Sequence, residues 1–276
     1  MSGPVRLLAT DIDGTLLRSD GTVSDRTRAA LRAAADAGLL VAFVTGRPPR
    51  WLDVLVEQTG HVGVAVGANG AVLYDVATER IISAHLLDQP QMLQLGAELR
   101  TAFPRVQFAT EYGKGFAAEP GYVHDWDINP PYDRHGVPIA PPKIGPLEEI
   151  TGEPAVKMLA KDRQADADSF MAAAIELIGD RATVTHSSSF GLLEISAPGI
   201  TKASGLAELA SSYGISSAEV AAVGDMPNDL PMLQWAGHSY AVANAHPDVR
   251  AVADEILVSN DDDAVAMLIE SFLAAR

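Results

Sequence analysis

The sequence predicts an α/β protein in which a doubly wound parallel sheet is interrupted by an inserted α+β domain. Short apolar runs alternate with helix-like segments over residues 5–70 and again beyond residue 200, and this alternation is typical of a parallel sheet covered by helices. The intervening stretch mixes hairpin-like runs, helices and proline-rich sequence. We therefore predict a core formed by residues 1–84 and 197–276 and an α+β insert at residues 85–196.

The N-terminal half of the core begins with an apolar strand at residues 5–10. Ser24 is the predicted N-cap of the next helix and Gly38 follows its end, because a hydroxyl satisfies the first backbone N–H groups and glycine ends a helix readily. Pro48 and Pro49 favour a second helix start. The other elements expected here are strands at 39–44 and 62–66, helices at 25–37 and 51–59, and a hairpin at 71–74 and 80–84.

The insert and the C-terminal half of the core have less regular patterns. In the insert we expect helices at 88–103 and 165–178, strands at 106–109, 115–118, 155–160, 182–186 and 192–196, and a proline-rich loop at 127–146. After the insert, strand and helix patterns alternate again. There we expect helices at 202–213, 228–236, 247–253 and 261–275, with strands at 220–223 and 240–242.

The composition limits the possible partners and compartment. The formal net charge is −16, which argues against nucleic acid and anionic membrane surfaces as partners, since both attract basic proteins. The chain contains no cysteine, which removes disulfides and thiolate chemistry and fits a cytoplasmic protein. No apolar run approaches the roughly 20 residues of a membrane span. We expect a cytoplasmic monomer or homodimer.

Two carboxylates follow the first predicted strand, Asp11 and Asp13 in the order Asp-Ile-Asp-Gly-Thr. Ligands of open α/β sheets bind beyond the carboxyl ends of strands, and we expect these two side chains to point in different directions. One could attack or hold a metal ion while the other reaches a leaving group. Asp and Gly also form solvated turns, so the motif alone leaves that alternative open.

Three further polar clusters occur where predicted elements begin or end. Residues 45–47 read Thr-Gly-Arg after the second strand, and residues 224–229 read Gly-Asp-Met-Pro-Asn-Asp after a later one. Lys202 begins a predicted helix, where the helix dipole disfavours a cation, so we expect an anionic partner for it. Parallel strands end at one edge of the sheet, and we expect these groups to meet there.

These motifs resemble those of the haloacid dehalogenase superfamily and, within it, the Cof-type phosphatases with a class IIB, C2-type cap. The matching segments are 11–15, 45–47, 199–202 and 224–229, and the resemblance covers nearly the whole chain. It implies a Rossmann-like catalytic core, a cap formed by the insert, and Mg²⁺-dependent hydrolysis of small phosphomonoesters through an aspartyl-phosphate. The expected substrates are sugar phosphates or phosphorylated cofactors and metabolites.

The resemblance also implies a role for each matching residue. Asp11 is the expected nucleophile and Asp13 the general acid and base. The expected Mg²⁺ ligands are Asp11, Asp225 and the backbone carbonyl of Asp13, an all-oxygen set that suits this ion. The expected phosphate-binding groups are Thr45, Gly46, Lys202 and Asn228, with orientation of the metal site as the alternative for Asn228. The expected supporting residues are Asp229, which would hold Lys202 or a water ligand of the ion, Thr15 through the backbone of its turn, and Arg47, for which an ordinary surface position is the alternative. Asn69 and Asn244 are expected to form turns.

Two other functions are compatible with the sequence. A phosphomutase or phosphotransferase would use the same aspartyl-phosphate, and a phosphometabolite-binding protein would keep the site without turnover. By the same resemblance, an acidic group at Asp13 favours hydrolysis, because it separates phosphatases from relatives that preserve the phosphoenzyme. Substrate choice is expected to lie in the insert. Its candidates for substrate contact are His124, Trp126, Tyr132 and His135, with a solvated loop as the alternative.

Overall fold

The described part of the chain contains two sheets, and we keep the names core (residues 1–84 and 197–276) and insert (residues 85–196) from the sequence analysis as labels for the segments that form them. The computed structural model describes residues 4–60, 63–122, 141–186 and 190–276. Within these ranges the strands are β1 (Leu7–Thr10), β2 (Leu40–Val44), β3 (Val64–Gly67), β4 (Val72–Asp75), β5 (Arg80–Ala84), β6 (Gln107–Tyr112), β7 (Gly115–Ala118), β8 (Lys143–Ile144), β9 (Lys157–Asp166), β10 (Thr183–Thr185), β11 (Phe190–Ser196), β12 (Val220–Gly224), β13 (His238–Ala241) and β14 (Glu255–Ile256). The helices are α1 (Asp25–Asp36), α2 (Pro49–Thr59), α3 (Gln89–Ala102), α4 (Leu147–Ile150), α5 (Ala167–Ile178), α6 (Lys202–Ser212), α7 (Leu230–Trp235), α8 (Pro247–Val252) and α9 (Ala264–Ala274).

The core sheet has the strand order β14-β13-β12-β1-β2-β3-β4-β5. Neighbouring strands from β14 to β3 run parallel, and β4 and β5 add an antiparallel hairpin at one edge. This arrangement confirms the predicted doubly wound α/β fold. Every residue of β1 is buried, because helices cover both faces of a parallel sheet, and this burial explains why β1 has a nearly continuous apolar sequence.

Local capping signals set the helix boundaries next to the edge of the sheet. The Ser24 side chain accepts a hydrogen bond from the Thr27 N–H at the start of α1, and Gly38 follows the helix with a left-handed φ of +70°. The Thr201 hydroxyl accepts from the Ser204 N–H. Lys202 therefore becomes the first residue of α6, which fixes where its side chain leaves the backbone.

The insert forms a second sheet with the order β10-β11-β9-β6-β7-β8. Its pairs are antiparallel apart from the short parallel pair of β7 and β8. On the face covered by helices, Phe103 and Phe170 meet edge to face with ring centroids 4.7 Å apart. Phe116, Leu159 and Trp51 belong to a separate apolar cluster. Because Trp51 comes from α2 of the core, this other face of the sheet is turned towards the core.

The structure corrects several boundaries expected from the sequence. Part of the proline-rich loop predicted at 127–146 forms β8, which pairs with β7. The helix expected at 261–275 begins at Ala264, because Asp263 adopts a left-handed φ of +62°. The helix expected at 228–236 begins at Leu230, after a single tight turn. The elements α4 and β14 are absent from the prediction because two to four residues carry no detectable periodicity. The substrate-contact candidates His124, Trp126, Tyr132 and His135 lie outside the described residues.

Candidate active site

Three adjacent strands bring the expected site residues together. β1 pairs with β2 on one side and with β12 on the other. Asp11, Thr45 and Asp225 follow these three strands directly, so they meet at the carboxyl edge of the sheet. The Asp11 N–H donates to the carbonyl oxygen of Val223 at 3.0 Å, which extends the strand pairing by one residue and fixes the Asp11 backbone.

A buried lysine joins two carboxylates of this site. Lys202 donates from Nζ to Oδ1 of Asp11 and to Oδ1 of Asp229, both at 2.5 Å. Carboxylate oxygens of Asp11, Asp225 and Asp229 lie within 4.8 Å of one another, and all three residues are buried. These carboxylates are the anionic partners that a lysine at a helix N-terminus requires.

The charges of this cluster are unbalanced. Burial raises the pKa of Asp11 well above its ordinary value; Lys202 opposes the rise, and Asp229 and Asp225 add to it. Burial, followed by the charge of Asp229, raises the pKa of Asp225 to about 7. Burial alone would lower the pKa of Lys202, but Asp11 and Asp229 raise it above its ordinary value, so the lysine is charged. Three buried carboxylates thus share one ammonium group, and the cluster attracts further positive charge.

The donor set of the cluster fits a divalent cation. Asp229 is already engaged, because its Oδ1 binds Lys202 and its Oδ2 accepts the N–H groups of Asp225 and Met226 at 2.9 and 3.0 Å. Asp11 and Asp225 are therefore the carboxylates best placed to hold an ion. Carboxylate oxygens are hard ligands of the kind that Mg²⁺ prefers, and a divalent ion would balance the excess negative charge.

The turn after β1 supports the carboxylate of Asp225. Gly14 has a left-handed φ of +76°, and a Cβ at this position would lie 2.3 Å from Oδ2 of Asp225. The Thr15 hydroxyl donates to Oδ1 of Asp225 at 2.9 Å. We expected Thr15 to bond the backbone of its turn; instead, the left-handed residue before it turns the chain towards Asp225. Asn244 donates from Nδ2 to the Gly14 carbonyl at 2.8 Å and so braces this turn.

Asp13 points away from the buried cluster. Its side chain is 58% exposed, compared with 7% for Asp11. Side chains two residues apart on a strand would face the same side; these two differ because the chain leaves the strand after Asp11 and turns tightly over Ile12–Leu16. Arg47 donates from Nε to Oδ2 of Asp13 at 2.7 Å and from Nη2 to Oδ1 at 2.5 Å. This bidentate pair distinguishes Arg47 from an ordinary surface arginine and gives Asp13 a defined orientation.

The Thr45–Gly46 turn is held by its neighbours. The Thr45 hydroxyl oxygen accepts the Arg47 N–H at 3.0 Å, and the Thr45 carbonyl accepts the Asn69 N–H at 2.9 Å. Asn228 donates from Nδ2 to Oδ1 of Asn69 at 3.1 Å. Within the described ranges, the buried Oδ1 of Asn228 has no hydrogen-bond partner. An acceptor oxygen suits a cation or a water molecule better than a phosphate oxygen, so this orientation favours the alternative expected for Asn228, at the metal site, over the role of phosphate donor.

The sequence-based site omits residues that the fold brings to this turn. Asn69, expected only as a turn former, does adopt a left-handed φ of +55°, but its side chain also donates to Oε2 of Glu194 in the insert at 2.6 Å. Lys157 of the insert donates to the Gly46 carbonyl at 2.7 Å. A signal existed for both insert residues: each is a charged residue next to an apolar run that predicts a strand, and a buried charge needs a partner.

Known proteins resemble this chain over nearly its whole length. A family model described as haloacid dehalogenase-like hydrolase matches residues 8–269. The 5-amino-6-(5-phospho-D-ribitylamino)uracil phosphatase YwtE of Bacillus subtilis is 28% identical, with 99% of this chain and 99% of that protein covered. The phosphoglycolate phosphatase of Methanothermobacter thermautotrophicus is 27% identical, with 98% of this chain and 99% of that protein covered.

Solved structures resemble this fold closely. SMU.1108c from Streptococcus mutans superposes with a TM-score of 0.82 at 23% identity, covering 98% of this chain and 99% of that one. The HAD subclass IIB sugar phosphatase BT4131 gives a TM-score of 0.79 at 20% identity, covering 97% of this chain and 99% of that one. None of the helices in the described ranges combines the length and the apolar composition that a bilayer span requires.

Proposed function

This chain belongs to the haloacid dehalogenase-like hydrolase family and is a phosphatase of small phosphorylated compounds, and we propose that it acts with Mg²⁺ through an aspartyl-phosphate on Asp11. The observation that carries the proposal is the contact of Lys202 with Asp11 inside a buried cluster that also contains Asp225. A carboxylate is a weak nucleophile towards a phosphate dianion, so it requires fixed cationic groups beside it. Lys202 is such a group.

Asp11 and Asp13 have different roles in the proposed reaction. A carboxylate oxygen of Asp11 attacks phosphorus, the bond from phosphorus to the alcohol oxygen breaks, and protonated Asp13 gives its proton to the leaving oxygen. The Asp13 carboxylate then takes a proton from a water molecule that attacks the aspartyl-phosphate. This second step releases phosphate and restores Asp11. The exposed position of Asp13, outside the buried cluster, is where a leaving group and a water molecule could both reach it.

The remaining residues hold the phosphate and the ion. We assign Asp11, Asp225 and the backbone carbonyl of Asp13 as the Mg²⁺ ligands, and the ion would supply positive charge against the repulsion between Asp11 and the phosphate. Lys202, the Thr45 hydroxyl and the Gly46 N–H bind phosphoryl oxygens. Asp229 keeps Lys202 in place, and Thr15 does the same for Asp225.

We further propose that the insert is a cap over a core of residues 1–84 and 197–276. Contacts from Lys157 and Glu194 to the core support this division, and a cap excludes water during phosphoryl transfer. The substrate is a small phosphorylated metabolite, and the lack of cysteine supports action in the cytoplasm. Two relatives of similar sequence identity are named for different substrates, phosphoglycolate and a ribitylaminouracil phosphate. We therefore propose small phosphomonoesters as the substrate class.

A phosphate-release panel tests this function directly. The purified chain is supplied with Mg²⁺ and with sugar phosphates, nucleotides and cofactor phosphates, and free phosphate is measured. We expect release from several members and loss of release when EDTA removes the ion. No release from any member would contradict the proposal. Transfer of the phosphoryl group to a second sugar hydroxyl, without free phosphate, would support a phosphotransferase instead.

A further inference from the structure

A continuous chain of hydrogen bonds joins the insert to the phosphate-binding turn of the core. Lys157 on β9 donates from Nζ to the Gly46 carbonyl at 2.7 Å and to Oε2 of Glu194 at 2.8 Å. The same Glu194 oxygen accepts from Nδ2 of Asn69 at 2.6 Å. Asn69 in turn accepts from Asn228 at 3.1 Å. Two insert residues thereby reach two residues of the expected phosphate site, Gly46 and Asn228.

The residues of this chain of hydrogen bonds are deeply buried, and Lys157 among them is charged. Lys157, Glu194, Asn69 and Asn228 are all at least 96% buried. Burial alone would lower the pKa of Lys157, but Glu111 and Glu194 raise it above its ordinary value, so the ammonium group is charged. A charged group buried this deeply is costly unless its partners are fixed. Two of these partners, Glu111 and Glu194, belong to the insert, and the third, the Gly46 carbonyl, belongs to the core.

Because a peptide unit is planar, the contacts that hold Gly46 and Thr45 also orient the groups expected to bind phosphate. The Gly46 carbonyl held by Lys157 shares a peptide plane with the Arg47 N–H, which donates to the Thr45 hydroxyl oxygen at 3.0 Å. Lys157 therefore restricts the direction of the Thr45 hydroxyl.

Asn69 acts on the preceding peptide of the same turn. The Thr45 carbonyl, which accepts the Asn69 N–H at 2.9 Å, shares its plane with the Gly46 N–H. Glu194 holds the Asn69 side chain and so restricts the direction of that N–H. A Cβ on Gly46 would lie 3.2 Å from Oδ1 of Asn69 and 3.3 Å from Oε2 of Glu194, so the turn has little room to shift.

We propose that Lys157 and Glu194 are positioning residues, which orient the Thr45 hydroxyl and the Gly46 N–H for phosphoryl transfer when the insert is docked on the core. This inference rests on the proposed phosphatase function. It assigns to the insert a role separate from contact with the leaving group: the phosphate-binding turn reaches its working geometry through the two insert side chains. Misplacement of such groups by about 1 Å can cost about 100-fold in rate.

The test uses a small substrate whose leaving group is not a metabolite, para-nitrophenyl phosphate with Mg²⁺. The variant Lys157→Met/Glu194→Gln removes both charges together, and Glu111 keeps its ion pair with Arg50 at 3.0 Å, so that no unpaired buried charge remains. The matched control is Arg100→Met/Glu119→Gln, because Arg100 and Glu119 form an ion pair at 2.6 Å within the insert. We expect kcat to fall about 10- to 100-fold in the first variant and less than about 3-fold in the control.

A thermodynamic cycle with Thr45→Ala separates positioning from other roles. Because the Gly46 N–H stays in the Thr45→Ala background, part of the loss remains there, but if Lys157 and Glu194 also act through Thr45, their replacement costs less kcat in that background than in the wild type. Independent, multiplicative losses in kcat would overturn the proposal, as would an effect confined to KM or an unchanged kcat. If the double variant does not fold, Lys157→Arg takes its place in the same cycle, with the same outcomes. A wild-type protein that releases no phosphate from any substrate points instead to failure of the proposed function.

Discussion

Arg47 forms a bidentate pair of hydrogen bonds with Asp13, from Nε to Oδ2 at 2.7 Å and from Nη2 to Oδ1 at 2.5 Å. The two residues are 34 positions apart in the chain, and they meet because β1 and β2 are neighbours in the sheet. Asp11, two positions before Asp13, makes its contact with Lys202 instead. The pair of aspartates is thus divided between two different cationic partners.

The first prediction concerns this orientation of Asp13. Arg47→Met should lower kcat about 10-fold, because an unfixed general acid spends less time in the productive position. The kcat of Arg47→Lys should lie between those of the wild type and Arg47→Met, since lysine keeps the positive charge but cannot form two parallel hydrogen bonds with Asp13. Steady-state kinetics provide the measurement, with the exposed Arg32→Met as control. An unchanged or higher kcat in Arg47→Met would show that the ion pair with Arg47 does not orient Asp13 for proton transfer.

The second prediction concerns the nucleophile. Asp11→Asn should lower phosphate release by at least about 1,000-fold, because the amide cannot form the phosphoryl ester. The fold should persist, since the substitution removes one of three buried negative charges and Lys202 keeps Asp229 as a partner. Activity and thermal melting are measured together, with the exposed Asp36→Asn as control. Near-normal turnover in Asp11→Asn would mean that another group attacks phosphorus.

The third prediction uses two glycines with almost the same backbone. Gly14 and Gly21 have φ of +76° and +79°, but only a Cβ on Gly14 meets a neighbour, Oδ2 of Asp225 at 2.3 Å. Both alanine variants should lose about 1–2 kcal/mol of unfolding free energy, since a left-handed backbone disfavours a side chain. Only Gly14→Ala should also displace Asp225, raise the Mg²⁺ concentration needed for half-maximal activity, and lower activity by at least about 10-fold. Equal Mg²⁺ requirements in the two variants would contradict this account.

The fourth prediction links pH to the ion. The pKa of Asp225 rises from 3.8 to about 7 in the folded protein, mainly through burial. Between these pH values the folded state keeps a proton that the unfolded state has released, so this group lowers the unfolding free energy of the metal-free protein as pH rises across the window. Mg²⁺ competes with that proton. The rise in melting temperature produced by Mg²⁺ should therefore grow from about pH 5 to about pH 8.

Melting curves with EDTA and with Mg²⁺ at each pH measure this linkage. Asp225→Asn should reduce the pH dependence of the Mg²⁺ effect, because the amide does not titrate; the part that remains comes from Asp11, whose pKa is also raised by burial. A Mg²⁺ effect of equal size at both ends of the pH range in the wild type would show that Asp225 does not hold the ion.

The sequence carries enough information for the core and the position of its site, and the reason is topological. Parallel strands end on the same edge of a sheet, so residues that follow β1, β2 and β12 must meet there whatever their side-chain conformations. The unusual position of Lys202 at a helix start also predicts a carboxylate partner from the order of residues alone. These inferences need only the order of the elements.

The hydrogen-bond partners and the side-chain directions within the site could not be predicted from the order of the elements. Whether Thr15 bonds its own turn or Asp225 depends on one left-handed glycine, and the direction of the Asn228 amide depends on its hydrogen bond to Asn69. The contact of Lys157 with Gly46 spans 111 positions and two sheets. Contacts of this kind follow from how the insert sits on the core, which no local pattern encodes.

The central place of β1 has a consequence for biosynthesis. The strand before Asp11 needs two neighbours, and Leu7 pairs with Leu40 on one side and with Val220 on the other. At a synthesis rate of about 5–20 residues per second, the second neighbour leaves the ribosome roughly 10–40 seconds after the first strand. Until then one edge of an apolar strand has no partner. During that interval the unpaired edge is a site at which the nascent chain can pair with other chains and aggregate.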